Sequence, residues 1–141
     1  MNSRIVLSGC ALITLGALAV AQKSNIVTVP APRTSATSGK EMYIAYCATC
    51  HGREGKGDGP VAGALRTPPT DLTLLSERNQ GRSPSVQVVN VITGSAGVAA
   101  HGSKEMSVWG PIFLAMAHQH ESEAPLRVAN LADYLKSLQK K

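Results

Sequence analysis

Residues 47–51 read Cys-Ala-Thr-Cys-His, and residues 52–60 read Gly-Arg-Glu-Gly-Lys-Gly-Asp-Gly-Pro. Cys47 and Cys50 stand three positions apart, and His51 follows at once with an imidazole. Four glycines and a proline in the next nine residues predict a tight irregular loop rather than a helix or strand. That loop lacks the G-x-x-x-x-G-K-[ST] spacing of a phosphate cradle.

Cys-x-x-Cys-His is the spacing of c-type haem attachment. Each thiol can form a thioether with a vinyl group on the edge of one porphyrin, while His51 offers its imidazole to the iron from one face. Covalent attachment holds a cofactor that a small protein could not bury well by packing alone. Three other readings are open. A thioredoxin-like redox pair also uses Cys-x-x-Cys, usually within a βαβ pattern, and no such pattern surrounds this one. A zinc site needs four ligands, and few Cys and His are at hand. In an oxidising compartment the pair could be a plain disulfide.

Upstream, Ser38 followed by Glu41 is a capping-box signal, and residues 39–48 read as a helix with Tyr43 and Cys47 on one face. Residues 22–37, QKSNIVTVPAPRTSAT, predict a flexible leader. Residues 1–21 combine Arg4, an apolar run and a terminal Ala19-Val20-Ala21, the form of a cleaved signal peptide. The expected organisation is therefore a signal peptide at 1–21, a leader at 22–37 and one domain at 38–141. The apolar run also approaches the length of a membrane anchor, which would tether the domain if it stays uncleaved. Leu7-Ser8-Gly9-Cys10 is similar to a lipobox, but the apolar run before Cys10 is only Ile5-Val6-Leu7.

A chain of 141 residues allows one domain. The net charge of +5 comes without any run of five like charges, so nucleic acid is not an expected partner. Charged residues make up 16%, which does not fit a charge-driven disordered chain. From residue 38 onward the net charge is only +2, and no single large steering patch is expected. Three cysteines do not make a complete disulfide framework, and cleavage after residue 21 leaves two. Aromatic residues are only 4% of the chain, few for packing a core.

Downstream, residues 66–82 are turn-rich. Val86, Val88, Val89, Val91 and Ile92 are β-branched and would suit a strand. Ser83 as a cap with Pro84 at the first helical position, and Gly94 as a stop, favour a helix over 84–93. A last helix is expected from Pro125 to about residue 140, with Val128, Leu131, Leu135 and Leu138 on one stripe.

Cys47 to His51, the Gly-Asp-Gly-Pro loop, Met106-Ser107-Val108-Trp109-Gly110 and the terminal amphipathic helix together resemble a class I bacterial cytochrome c. The likeness covers residues 38–141. It implies an all-α cytochrome c fold, three to five helices wrapped around one covalently bound haem c, so that the porphyrin becomes the core and explains the aromatic deficit. It also implies that the first and last helices cross, with Leu131 or Tyr134 against Gly39 and Tyr43.

A six-coordinate iron needs a second ligand among Met42, Met106, Met116, His101, His118 and His120. Met42 lies too close to Cys47, Met116 sits in an apolar helical stretch, and His118 and His120 lie in a polar loop. Met106 follows a loop that could fold over the haem and matches the family's axial Met; His101 is the alternative. Ser107 stands where the family often has Pro. By resemblance, Pro60 would accept the His51 Nδ1–H bond through its carbonyl, Trp109 would pack at the haem edge, and residues 70–73 match the family's P-x-D-L-T connector.

These residues imply an exported, periplasmic electron carrier with no catalytic residues of its own. Its partners would be redox proteins: a dehydrogenase, an oxidase or another cytochrome. Two rival expectations are a haem c subunit of a membrane-associated dehydrogenase or oxidase complex, and a haem enzyme or sensor with an open iron site.

Overall fold

The computed structural model describes residues 30–95, 108–117, 120 and 122–140. Six α-helices and two 3-10 turns appear among them, without a strand: α1 Gly39–Tyr46, α2 Ala48–His51, α3 Leu75–Arg78, α4 Ser85–Thr93, α5 Trp109–Met116 and α6 Glu123–Ser137, with turns at Ala62–Ala64 and Leu72–Leu74. The signal-peptide segment, Met106, His101 and His118 lie outside the described residues.

The Ser38 hydroxyl caps α1 by accepting from the Glu41 backbone N–H at 3.2 Å. The reciprocal half of the capping box is displaced. The Glu41 carboxylate accepts from Ser35 N–H at 3.3 Å, because Ser38 N–H already donates to the Ser35 carbonyl. The predicted single helix over 39–48 divides at Cys47, which caps both α1 and α2.

α1 crosses α6, and the crossing dictates a residue without a side chain. A Cβ on Gly39 would collide with the Asn130 carbonyl of α6. Beside this contact Tyr43 and Tyr134 meet with ring centroids 5.3 Å apart. α6 buries Ala124, Arg127, Val128, Leu131 and Leu135, the i, i+3, i+4 spacing of a helix with one apolar face. Arg127 joins that stripe only because its charge is met. Its guanidinium donates to Glu123 Oε1 at 2.7 and 3.0 Å and to the Thr34 carbonyl at 2.9 Å. A buried cation without such partners would be strongly destabilising.

Residues 30–37 are not a free leader. Tyr46 Oη donates to the Pro32 carbonyl at 2.7 Å, Arg127 holds Thr34, and Asn130 Nδ2 donates to the Ala36 carbonyl at 2.9 Å. They form a strap across α1 and α6. Proline- and serine-rich composition hid this, since the strap is held through its backbone carbonyls.

The β-branched run forms helix α4, ended by Gly94 in the left-handed region at φ 80°. Pro84 is itself the N-cap, one position later than predicted, and its neighbour Val86 remains 71% exposed. All five aromatic residues pair. Besides Tyr43 with Tyr134, Tyr46 stacks on Trp109 at 4.5 Å, and Phe113 lies against both. They gather where α1, α5 and α6 meet, beside the cavity described next.

Candidate functional site

α2 is a single turn that carries Cys47, Cys50 and His51 together, with Cys47 as its N-cap. The glycine-rich loop folds back and satisfies the backbone of this turn. Gly57 N–H donates to the His51 carbonyl at 2.8 Å, Gly59 N–H to the Cys50 carbonyl at 3.0 Å, and Val61 N–H to the Thr49 carbonyl at 3.2 Å. Glycine is needed at 57, where φ is +81° and a side chain would strike the Pro69 carbonyl. From the core side, the fully buried Tyr43 donates its hydroxyl to the Gly52 carbonyl at 2.6 Å. Burial, with the charge of Cys47 next, pushes the Tyr43 phenol far above its ordinary range. It therefore stays a neutral donor.

The connector at residues 70–76 closes the site from below. Leu72 N–H donates to the Gly55 carbonyl at 2.7 Å. Asp71 caps the next turn by accepting from Thr73 N–H at 2.9 Å and from its hydroxyl at 2.6 Å. The hydroxyl bond, aided by that N–H, holds the Asp71 carboxyl below its usual range. His51 Nδ1 lies 3.0 Å from the Thr70 carbonyl oxygen. A carbonyl only accepts, so Nδ1 carries the proton and Nε2 keeps the ring's lone pair for a metal. This bond corrects the expectation for Pro60. The acceptor is Thr70, because the connector passes beneath the imidazole, while Pro60 lies exposed in the loop.

A cavity opens against Cys47 and His51. Leu72 and Leu75 form its floor, Val88 and Ile92 of α4 with Trp109 of α5 form the far wall, and Leu131 and Leu135 of α6 form its back. Trp109 lines this cavity and stacks on Tyr46. Of the second-ligand candidates, Met42 is wholly buried in the helical core. Met116 lies near Tyr46 Oη and lines a different concavity, as does His120. None of these three lines the cavity beside His51.

Two thiols on one turn, an imidazole oriented by its far nitrogen, and walls of Leu, Val, Ile and Trp fit a flat apolar macrocycle held at one edge. The rival readings fit less well. Burial, and then the charge of Cys50, pushes the Cys47 thiol up to about 12, whereas a reactive redox pair needs a lowered value. The structure does not join Cys47 to Cys50. Among the described residues no group of three or more His, Cys, Asp or Glu could hold a metal ion such as zinc.

Sequence reasoning missed Thr70 and Tyr43 as supports of this site. Thr70 acts through a backbone carbonyl, which no side-chain pattern reveals, although the connector containing it was visible as a motif.

Over residues 34–114, more than half of the chain, the sequence matches the family described as cytochrome C oxidase, cbb3-type, subunit III. No match is found among curated proteins or among solved structures. The chain belongs to that family: it is a monohaem c-type cytochrome of all-α fold that binds haem c covalently.

Proposed function

We propose that Cys47 and Cys50 form the two thioethers, that His51 Nε2 is one axial ligand, and that Met106 is the other. The observation that carries this reading is the His51 Nδ1 to Thr70 carbonyl bond beside an apolar cavity. It fixes both the tautomer and the direction of the ring. The bound haem supplies a one-electron iron couple, whose potential is raised by His/Met ligation. The residues around it bind and orient. Leu72, Leu75, Val88, Ile92 and Trp109, which line the cavity, would shield the bound group from water. With Met106 as the second ligand, no position would be left for a substrate, and the chain would carry electrons without catalysing a reaction.

The family match favours a role beside an oxidase: a haem c subunit or domain passing single electrons within a respiratory complex. Export through the segment at 1–21 to the periplasm, with tethering if it stays uncleaved, suits that role. No helix among the described residues is long and apolar enough to cross a membrane.

Absorption spectra of the oxidised and reduced chain, with Met106→Ala alongside, test the reading. The wild-type chain should be low-spin in both states and refuse CO when reduced. Met106→Ala should become high-spin and bind CO. A colourless wild-type product, or a variant with an unchanged spectrum, overturns the assignment.

A further inference from the structure

We propose that Gln139, beyond the end of α6, is a positioning residue for the His51 imidazole, acting through the connector at residues 70–76. The inference rests on the axial role given to His51 above. The Gln139 side-chain amide uses both ends. Its Oε1 accepts from Ser76 N–H at 2.8 Å, while Nε2 donates to the Leu72 carbonyl at 2.7 Å and to the Leu135 carbonyl at 2.8 Å. Lys140 N–H adds a bond to the Thr73 carbonyl at 3.0 Å. The Leu72 residue is thereby held on both sides. Its N–H is tied to Gly55 of the loop after the motif and its carbonyl to Gln139. Thr70, whose carbonyl takes the His51 proton, is two residues away on the same short segment. Residues 139 and 140 thus bind the connector at Leu72, Thr73 and Ser76, and so set how firmly the Thr70 carbonyl meets the ring.

A hydrogen bond from Nδ1 raises the basicity of the coordinating nitrogen and favours the oxidised metal. Loosening the connector weakens that bond and favours the reduced state. Gln139→Glu keeps the shape but, when ionised, has no proton to donate to the Leu72 and Leu135 carbonyls. Gln139→Leu removes all three bonds.

The test uses the haem-bearing full chain with two readouts: the midpoint potential, and solvent exchange of the His51 Nδ1 proton by NMR in the reduced state. Both variants should show faster exchange, and Gln139→Leu, which adds no charge, a roughly threefold shift of the redox equilibrium toward the reduced form, about 28 mV at 59 mV per tenfold for one electron. Ser137→Ala, which loses only the bond from Ser137 Oγ to the Tyr134 carbonyl, should change neither. A purely structural latch would lower the denaturation midpoint while leaving potential and exchange at wild-type values, and that result overturns the inference alone. A wild-type Nδ1 proton exchanging as fast as that of free imidazole also overturns it, whether or not the variants fold. A wild-type chain without haem overturns the parent reading, and this inference with it.

Discussion

The two sides of the cavity are built by different forces. On the motif side, α2, the glycine-rich loop and the connector are knitted by backbone bonds: Gly57 to His51, Gly59 to Cys50, Val61 to Thr49 and Leu72 to Gly55. Across the cavity, α4 and α5 present Val88, Ile92 and Trp109, and their mutual fit is apolar and aromatic. Hydrogen bonds fix direction, and apolar packing fixes only volume. The side that must aim an imidazole and two thiols is therefore organised within the polypeptide. The far wall faces the cavity in which the proposed site would hold the porphyrin. On that reading the motif side would be pre-formed before cofactor attachment, while the far wall would be completed by it.

The largest effect should come from removing the cofactor. In Cys47→Ala/Cys50→Ala, haem should no longer survive denaturation on the protein. By hydrogen exchange, amides of α4 and α5 should lose more protection than those of residues 55–61 and 72. Equal loss on both sides would break the comparison.

Next in size is Phe113→Ala. Phe113 is wholly buried against Tyr46 and Trp109, with the Arg127 guanidinium 6.0 Å from its ring centre. Emptying an aromatic site costs about 3–5 kcal/mol. Thermal unfolding should fall steeply, while the His51 Nδ1–H exchange rate in the molecules still folded should hold. A change in that rate would show that the two sides are not independent.

The smallest is Tyr43→Phe, which leaves the ring and removes the bond to the Gly52 carbonyl. Stranding one buried acceptor costs about 1–3 kcal/mol. Denaturant titration should show that loss, with protection lowered in residues 52–57 and unchanged in α4. Unchanged stability would mean that water replaces the hydroxyl.

Much of this was legible residue by residue. The covalent spacing at 47–51, the Ser38 cap, the Gly94 stop and the α6 stripe are local facts. Each follows from the chemistry of a few neighbouring side chains, and the structure repeats the cap, the stop and the stripe. The crossing of α1 and α6 at Gly39 was inferred only through family likeness, and the structure supplies its cause in the Asn130 carbonyl. The strap at residues 30–37 and the Thr70 acceptor were not legible. Both depend on main-chain carbonyls, which every residue carries, so nothing in the residue types distinguishes the one that will be used.

By itself, then, the sequence determined which groups are available: two thiols and an imidazole within five residues, a loop rich in glycine after them, and helices with one apolar face. Only the tertiary structure decided which carbonyl the imidazole meets, how residues 30–37 strap α1 and α6, and which residue locks the connector. Side-chain chemistry and helical periodicity are written in the order of residues, whereas pairings between backbone groups distant in sequence exist only once the helices have packed.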